Sequence, residues 1–195
     1  LTGRVEAATI LGFLVAYATQ GPLYSFKMPL VSNAWRESDI FDVDPQTAAQ
    51  WRRARLAQHF DCTPEYLLIG EAPGYQGCHY SGIPFTNEAL LVEQAIPRIR
   101  MNERITKREL PWREPSATIV WRELYRLQLA ERVVMWNAFA WHPHAPGDQL
   151  SNRAPTREEL SNGWNVLRFV LNHFSYARVI AIGNTAAETL QRLDV

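Results

Sequence analysis

The stretch Gly70-Glu71-Ala72-Pro73-Gly74 follows directly on the apolar run Leu67-Leu68-Ile69. Two glycines and a proline after a buried strand force a tight turn with exposed backbone N–H groups. Such a turn can approach a flat ligand closely and donate to an anion or a carbonyl. Glu71 sits at the mouth of that strand, where a carboxylate is costly unless it is hydrogen-bonded or functional. Eight residues beyond Gly74 begins Gly82-Ile83-Pro84-Phe85-Thr86-Asn87-Glu88, in which Gly82 and Pro84 fix the backbone around an aromatic ring, Phe85. A second apolar run, Val133-Val134-Met135-Trp136, closes on Asn137. A side-chain amide offers a donor and an acceptor together, which suits the imide edge of a pyrimidine. Turn, ring and amide make a clamp for a flat heterocycle. Taken singly, Glu71 also fits a turn cap, Phe85 a core anchor and Asn137 a strand-end cap; the clamp reading rests on their convergence.

These residues need elements that bring them to one place. Three runs are apolar without alternation: Leu67 to Gly70, Val133 to Asn137 and Val179 to Gly183. That is the pattern of strands buried on both faces. Helical patterns lie between them. Asp44-Pro45 offers an N-cap and an N1 proline for a helix reaching about Phe60. Ser116 can cap a helix carrying Val120, Leu124 and Leu127. Thr156 and Glu159 form a capping box ahead of the stripe Leu160, Trp164, Leu167, Leu171 and Phe174. Asn184 can cap a last helix with Ala187, Leu190 and Leu193. Ala7, Ile10, Leu11, Leu14, Val15 and Ala18 add an N-terminal helix at core spacing, too short to span a bilayer. Strands alternating with helices predict an α/β three-layer sandwich around a mostly parallel sheet of about four strands. Ligands of such folds bind at the carboxyl ends of the strands, where Glu71 and Asn137 lie.

The chain has 195 residues, with 20 basic and 20 acidic side chains. That predicts one domain, with residues up to about 60 as a helical arm. Zero net charge excludes bulk polycation binding while permitting a local basic site. The one charge cluster, Arg98 to Arg113, holds Arg98, Arg100, Arg104, Lys107, Arg108 and Arg113 against Glu103 and Glu109; the first five are candidates for phosphate contact. Cys62 and Cys78 lack CxxC spacing and read as reduced thiols of a cytoplasmic protein. His142 and His144 lack a third ligand at metal-binding spacing, and Cys78 beside His79 lacks an orienting partner for nucleophilic work. Neither a Walker loop, a GxGxxG nor a GxSxG is present.

The GEAPG turn, the GIPFTNE loop, the strand-closing Asn137, the segment Asn152-Arg153-Ala154-Pro155-Thr156 and the AIGNTAAETL run, in this order and spacing, resemble the GEAPG-type branches of the uracil-DNA glycosylase superfamily over about residues 65 to 195. The resemblance implies that Gly70, Ala72, Pro73 and Gly74 surround a flipped base and that Phe85 stacks on it. It implies that Asn137 reads the base's edge and that Glu71 positions water or stabilises the cationic sugar. Relatives with an iron–sulfur cluster carry four cysteines; this chain has two, with Trp141 where one ligand would stand. No cluster, other cofactor or metal is therefore expected. Tyr75-Gln76-Gly77 replaces acidic residues that often follow the turn. The family's last motif, a His-Pro-Ser-like loop after a fourth strand, is expected to lie beyond Val195. The function implied is a monomeric glycosylase that excises uracil or a related deaminated base from DNA. The alternatives are a non-catalytic nucleobase-binding module of the same fold and a small-nucleoside hydrolase.

Overall fold

A computed structural model describes residues 21–195, so the helix expected over residues 7–18 lies outside the described part. In chain order the elements are α1 (Pro22–Ser25), β1 (Val31–Ser32), α2 (Ala48–Phe60), β2 (Tyr66–Gly70), α3 (Cys78–Ser81), α4 (Glu88–Val92), α5 (Pro115–Arg126), β3 (Val133–Asn137), β4 (His142–Pro143), α6 (Arg157–His173), β5 (Arg178–Ala181) and α7 (Asn184–Arg192). The three apolar runs form one parallel sheet in the order β3-β2-β5, with Gly70 opposite Asn137. No helix among the described residues is long and apolar enough to cross a membrane.

The sheet is covered on both faces, as the absence of alternation requires. Leu67, Ile69, Val134 and Trp136 pack with Leu56 and Phe60 of α2, Leu167 and Leu171 of α6 and Leu190 of α7. Leu68, Val133 and Met135 pack on the other side with Leu90 and Leu91 of α4 and Trp121 and Leu124 of α5. Each large side chain buried in this way contributes about 1.5–3 kcal/mol. The third strand departs from expectation. In β5 only Val179 is half-buried, and Ile180 is 42% exposed. Apolar content alone could not distinguish a central strand from one with a single paired edge. A second, two-stranded antiparallel sheet pairs Val31 with Pro143 and Ser32 with His142, and no periodicity announces segments this short.

Three helix starts differ from the sequence reading. The Asp44 carboxylate accepts from the Gln46 N–H and the Thr47 hydroxyl, closing a turn, and α2 begins only at Ala48. In α5 the cap position belongs to Glu114, with Pro115 and Ser116 already helical; the fixed φ of proline suits N1 and moves the start ahead of Ser116. The capping box of Thr156 and Glu159 forms as expected, whereas Asn184 is the first helical residue of α7 and Gly183, at φ +96°, precedes it.

The free edge of β3 is closed by a side chain. The Met135 N–H donates to His59 Nε2 of α2 at 2.9 Å. Burial, aided by the charge of Arg98, pushes the His59 pKa down to about 3. Between that value and the ordinary 6.5 the unfolded chain binds a proton that the fold refuses. His59 therefore contributes stability that is complete above pH 6.5 and is lost as pH falls toward 3. In His59→Gln, which keeps an acceptor, the acid slope of unfolding free energy against pH should shallow by about 1.4 kcal/mol per pH unit, the weight of one proton. Denaturant titrations across the acid range check this; an unchanged slope would show that His59 does not carry the effect.

Candidate functional site

The end of β2 is built for close approach. The Gly70 and Glu71 carbonyls accept from the N–H groups of Ala138 and Phe139 at 2.8 and 2.9 Å, so β2 and β3 stay joined beyond their formal ends. The chain then turns through Ala72-Pro73-Gly74, and the Tyr75 N–H donates to Asn152 Oδ1 at 2.9 Å. That bond ties the turn to the segment ahead of α6. The N–H groups of Ala72 and Gly74 donate to no described residue. Gly70 has room for no side chain, because a Cβ there would run into the Phe85 ring and the Asn137 amide.

Phe85 is presented by a rigid loop. Residues 81–84 and 86–90 are all buried, and Phe85 alone is half-exposed. The Ser81 hydroxyl bonds to the Ile83 and Thr86 carbonyls at 3.0 and 2.7 Å, and Trp121 Nε1 donates to the Phe85 carbonyl at 2.9 Å. Phe85 has φ +51°. A left-handed backbone at an aromatic residue costs on the order of 1–2 kcal/mol and persists only where its surroundings enforce it. The strain aims the ring at the end of the sheet.

Asn137 is 3% exposed, and its amide makes no hydrogen bond to any described residue. It faces a cavity of about 190 Å³ lined by Glu71, Ala72, Gly74, Phe85, Glu114 and Asn137, among others. An apolar cavity of roughly 150 Å³ holds benzene, so this space suits one flat six-membered ring. Ile182, just past β5, completes the border, so all three strand ends meet here. Glu71 is half-buried and accepts from the Thr185 hydroxyl of α7 at 3.0 Å, which fixes its carboxylate at the rim. A second groove of about 330 Å³ shares Glu71, Gly74 and Glu114 with the cavity and adds Asn152, Arg153 and Ala154.

The structure thus brings together every residue of the expected clamp, and it adds Glu114. This carboxyl lines both spaces and lies against Gly74 and Gly77. Burial pushes its pKa up to about 7, with a hydrogen bond to Ser116 opposing. In the sequence only its place immediately before Pro115 sets it apart, and nothing local ties that place to the strand ends. The fully buried Cys78 also borders the cavity, with its thiol pushed up by burial and by Glu114. His142 lies elsewhere: its Nε2 sits 2.9 Å from the Ser151 carbonyl, and its ring is 5.3 Å from that of His79, which bonds to Asp39. Among the described residues no group of three or more His, Cys, Asp or Glu could hold a metal ion.

The basic candidates separate into two sets. Arg98 donates to the Glu131 and Val133 carbonyls at 3.0 and 2.9 Å, at the amino end of β3. Arg100 neighbours it, with its N–H on Gln58. Both are a strand length from the cavity, about 16 Å. Arg104 donates to the Arg108 and Glu109 carbonyls. Arg108 lies 3.8 Å over the Trp112 ring, which meets Tyr75 of the turn edge-on, and Lys107 is exposed beside it. Glu88 organises this segment. Fully buried, it accepts from the N–H groups of Ile105, Thr106 and Trp112 and from the Thr106 hydroxyl.

A family model for the uracil DNA glycosylase superfamily matches residues 57–194. Among solved structures, one described as the crystal structure of wild-type SMUG2 from Pedobacter heparinus superposes with a TM-score of 0.63 at 13% identity. The match covers 95% of this chain and 80% of that one; at such identity the likeness is one of fold. No curated protein matches the chain.

Proposed function

The chain belongs to the uracil DNA glycosylase superfamily, and on that premise we propose that it takes uracil or a related deaminated base out of the DNA stack and hydrolyses its N-glycosidic bond. One observation carries the reading. Asn137, 3% exposed, presents an amide with no hydrogen-bond partner among the described residues to a cavity the size of one flat ring. A buried polar group left unpaired is costly, and the imide edge of a pyrimidine would satisfy its donor and acceptor at once.

The chemistry follows from the geometry. Extruding a base costs a few kcal/mol, and stacking on Phe85 offsets about 1–3 kcal/mol of that. The C1′–N bond then breaks with its electron pair moving onto the base. The Ala72 N–H, which donates to no described residue, and the Asn137 amide stabilise the charge gathering on the base's oxygens; one such donor is typically worth about 3 kcal/mol. Glu71, steadied by Thr185, faces the cationic sugar and accepts a proton from the attacking water. Lys107 and Arg108, beside the turn, contact the strand's phosphates, whereas Arg98 and Arg100 support the far end of the sheet.

Incubating the protein with single- and double-stranded oligonucleotides carrying one uracil should yield an abasic site. If none forms above buffer, and none forms with hypoxanthine or xanthine, the glycosylase reading is wrong. Cleavage of free deoxyuridine in preference to DNA would point instead to a nucleoside hydrolase. Asn137→Ala should lower single-turnover excision of uracil about 10²-fold with little change in melting temperature, because an amide unpaired in the fold adds little to stability. A large loss of melting temperature with unchanged excision would contradict the assignment.

A further inference from the structure

Two carboxyls border the cavity, and the mechanism above uses only Glu71. Glu114 is held as firmly. Its carbonyl accepts from Asn87 Nδ2 at 3.2 Å and from the Thr118 N–H at 3.2 Å, anchoring the cap of α5 to the Phe85 loop. Its side chain is half-buried. It folds across Gly74 and Gly77, and a Cβ on Gly74 would stand 2.6 Å from Glu114 Oε1. Both glycines thus leave space for this carboxyl beside the turn that frames the cavity.

Among the described residues, the groups facing Glu114 offer it no free countercharge. From the turn comes Glu71, from α3 the thiol of Cys78, from its own helix the Ser116 hydroxyl, and from the segment ahead of α6 Asn152 and Arg153. Arg153 is committed elsewhere, with its guanidinium nitrogens 2.8 and 2.6 Å from the Glu159 carboxylate. A carboxyl among such neighbours retains its proton near neutrality, and burial accordingly pushes its pKa up to about 7.

We propose that Glu114 enters the reaction protonated and donates a hydrogen bond to a carbonyl oxygen of the bound base. The inference rests on the base-excision reading of this site and adds a proton donor to it. As the C1′–N bond breaks and its electron pair moves onto the ring, the Glu114 proton passes to the charged base oxygen. Water adds to C1′ and gives its proton to Glu71. The base departs neutral, and solvent returns a proton to Glu114 and removes one from Glu71. The two carboxyls divide the labour, one ionised against the sugar and one protonated against the base.

The test measures two quantities across neutral pH for the parent, Glu114→Gln and Glu114→Ala. These are single-turnover excision from a uracil-containing single strand and binding of free uracil by tryptophan fluorescence. In the parent, both should fall as pH rises through about 7, approaching tenfold per unit beyond it. Glu114→Gln retains a donor that does not titrate, so it should lose the alkaline fall in both while excising severalfold more slowly than the parent below neutrality. Glu114→Ala should be slow and weak-binding throughout. An alkaline limb in Glu114→Gln that matches the parent's, or parental excision by Glu114→Ala, overturns the proposal. If the parent excises nothing at any pH, it is the glycosylase reading that fails, and uracil binding then decides alone. Binding that weakens above neutrality only in the parent supports a protonated Glu114; pH-independent binding, or none, overturns it.

Discussion

Gly70→Ala is expected to cost about 10³-fold or more in excision. The added Cβ would lie 2.8 Å from Asn137 Oδ1 and 2.5 Å from Phe85 Cε2, well inside any tolerable contact. The backbone has nowhere to retreat. The Gly70 carbonyl is bonded to the Ala138 N–H at 2.8 Å, and the residue is in register with Asn137. Phe85 cannot yield as a unit either, with its carbonyl on Trp121 and its neighbours buried. Both contacts are under 3.0 Å, so the ring must swing into the cavity and the amide must turn away. Losing a base stack forfeits about 1–3 kcal/mol and losing a donor about 3 kcal/mol; together they correspond to about 10³–10⁴ in rate. Overpacking should lower stability by only about 1–3 kcal/mol, so the variant should still fold. Single-turnover excision beside a melting curve separates the two effects. A folded Gly70→Ala that excises within about tenfold of the parent would mean that turn, ring and amide do not act on one base.

That clamp is legible in the sequence because its parts are local. A GEAPG turn and a Pro-framed phenylalanine write their backbone demands into neighbouring residues. An uninterrupted apolar run such as Val133 to Asn137 marks its own end, and the strand occupies those residues. Glu114 was not legible, because its role depends on two glycines some forty residues earlier in the chain that leave room for its carboxyl. Glu88 was visible only as the last letter of a loop motif. Its task of gathering Ile105, Thr106 and Trp112 arises from long-range backbone donors that no spacing rule encodes. The basic cluster failed as a unit for the same reason. Contiguous in sequence, it is divided by the fold between the amino end of the sheet, where Arg98 sits, and the vicinity of the turn, where Arg108 sits. Exposure of β5 was hidden because apolar composition reports the side chain and not the number of neighbouring strands.

The largest stability loss should come from a residue outside the clamp, Arg52 of α2. It is 1% exposed and ion-paired with Asp42, which is wholly buried. Its guanidinium also donates to the carbonyls of Glu37 at 3.0 Å and of Ala34 and Tyr80 at 3.4 Å. Asp42 accepts in addition from the Asp39 N–H at 3.0 Å. Burial outweighs the arginine and raises the Asp42 pKa, so its ionised form is poorly compensated even with the pair intact. Arg52→Leu would strip the remaining countercharge and leave three carbonyls short of a donor. Breaking such a pair from one side costs about 3–5 kcal/mol, or on the order of 10 °C in a chain of this size. The consequence should reach the cavity, because the Arg52 backbone packs against Gly82, at φ +80°, where no Cβ fits. Gly82 opens the loop that carries Phe85, so loosening α2 loosens the stacking ring. The double variant Arg52→Leu/Asp42→Leu tests the cause. If the penalty is an uncompensated charge, it should recover much of the lost stability; if it melts as low as the single variant, carbonyl bonding and packing around Gly82 carry the cost instead. Either way the Phe85 loop depends on a helix that touches no base, and excision by Arg52→Leu should fall at temperatures where the chain is still folded.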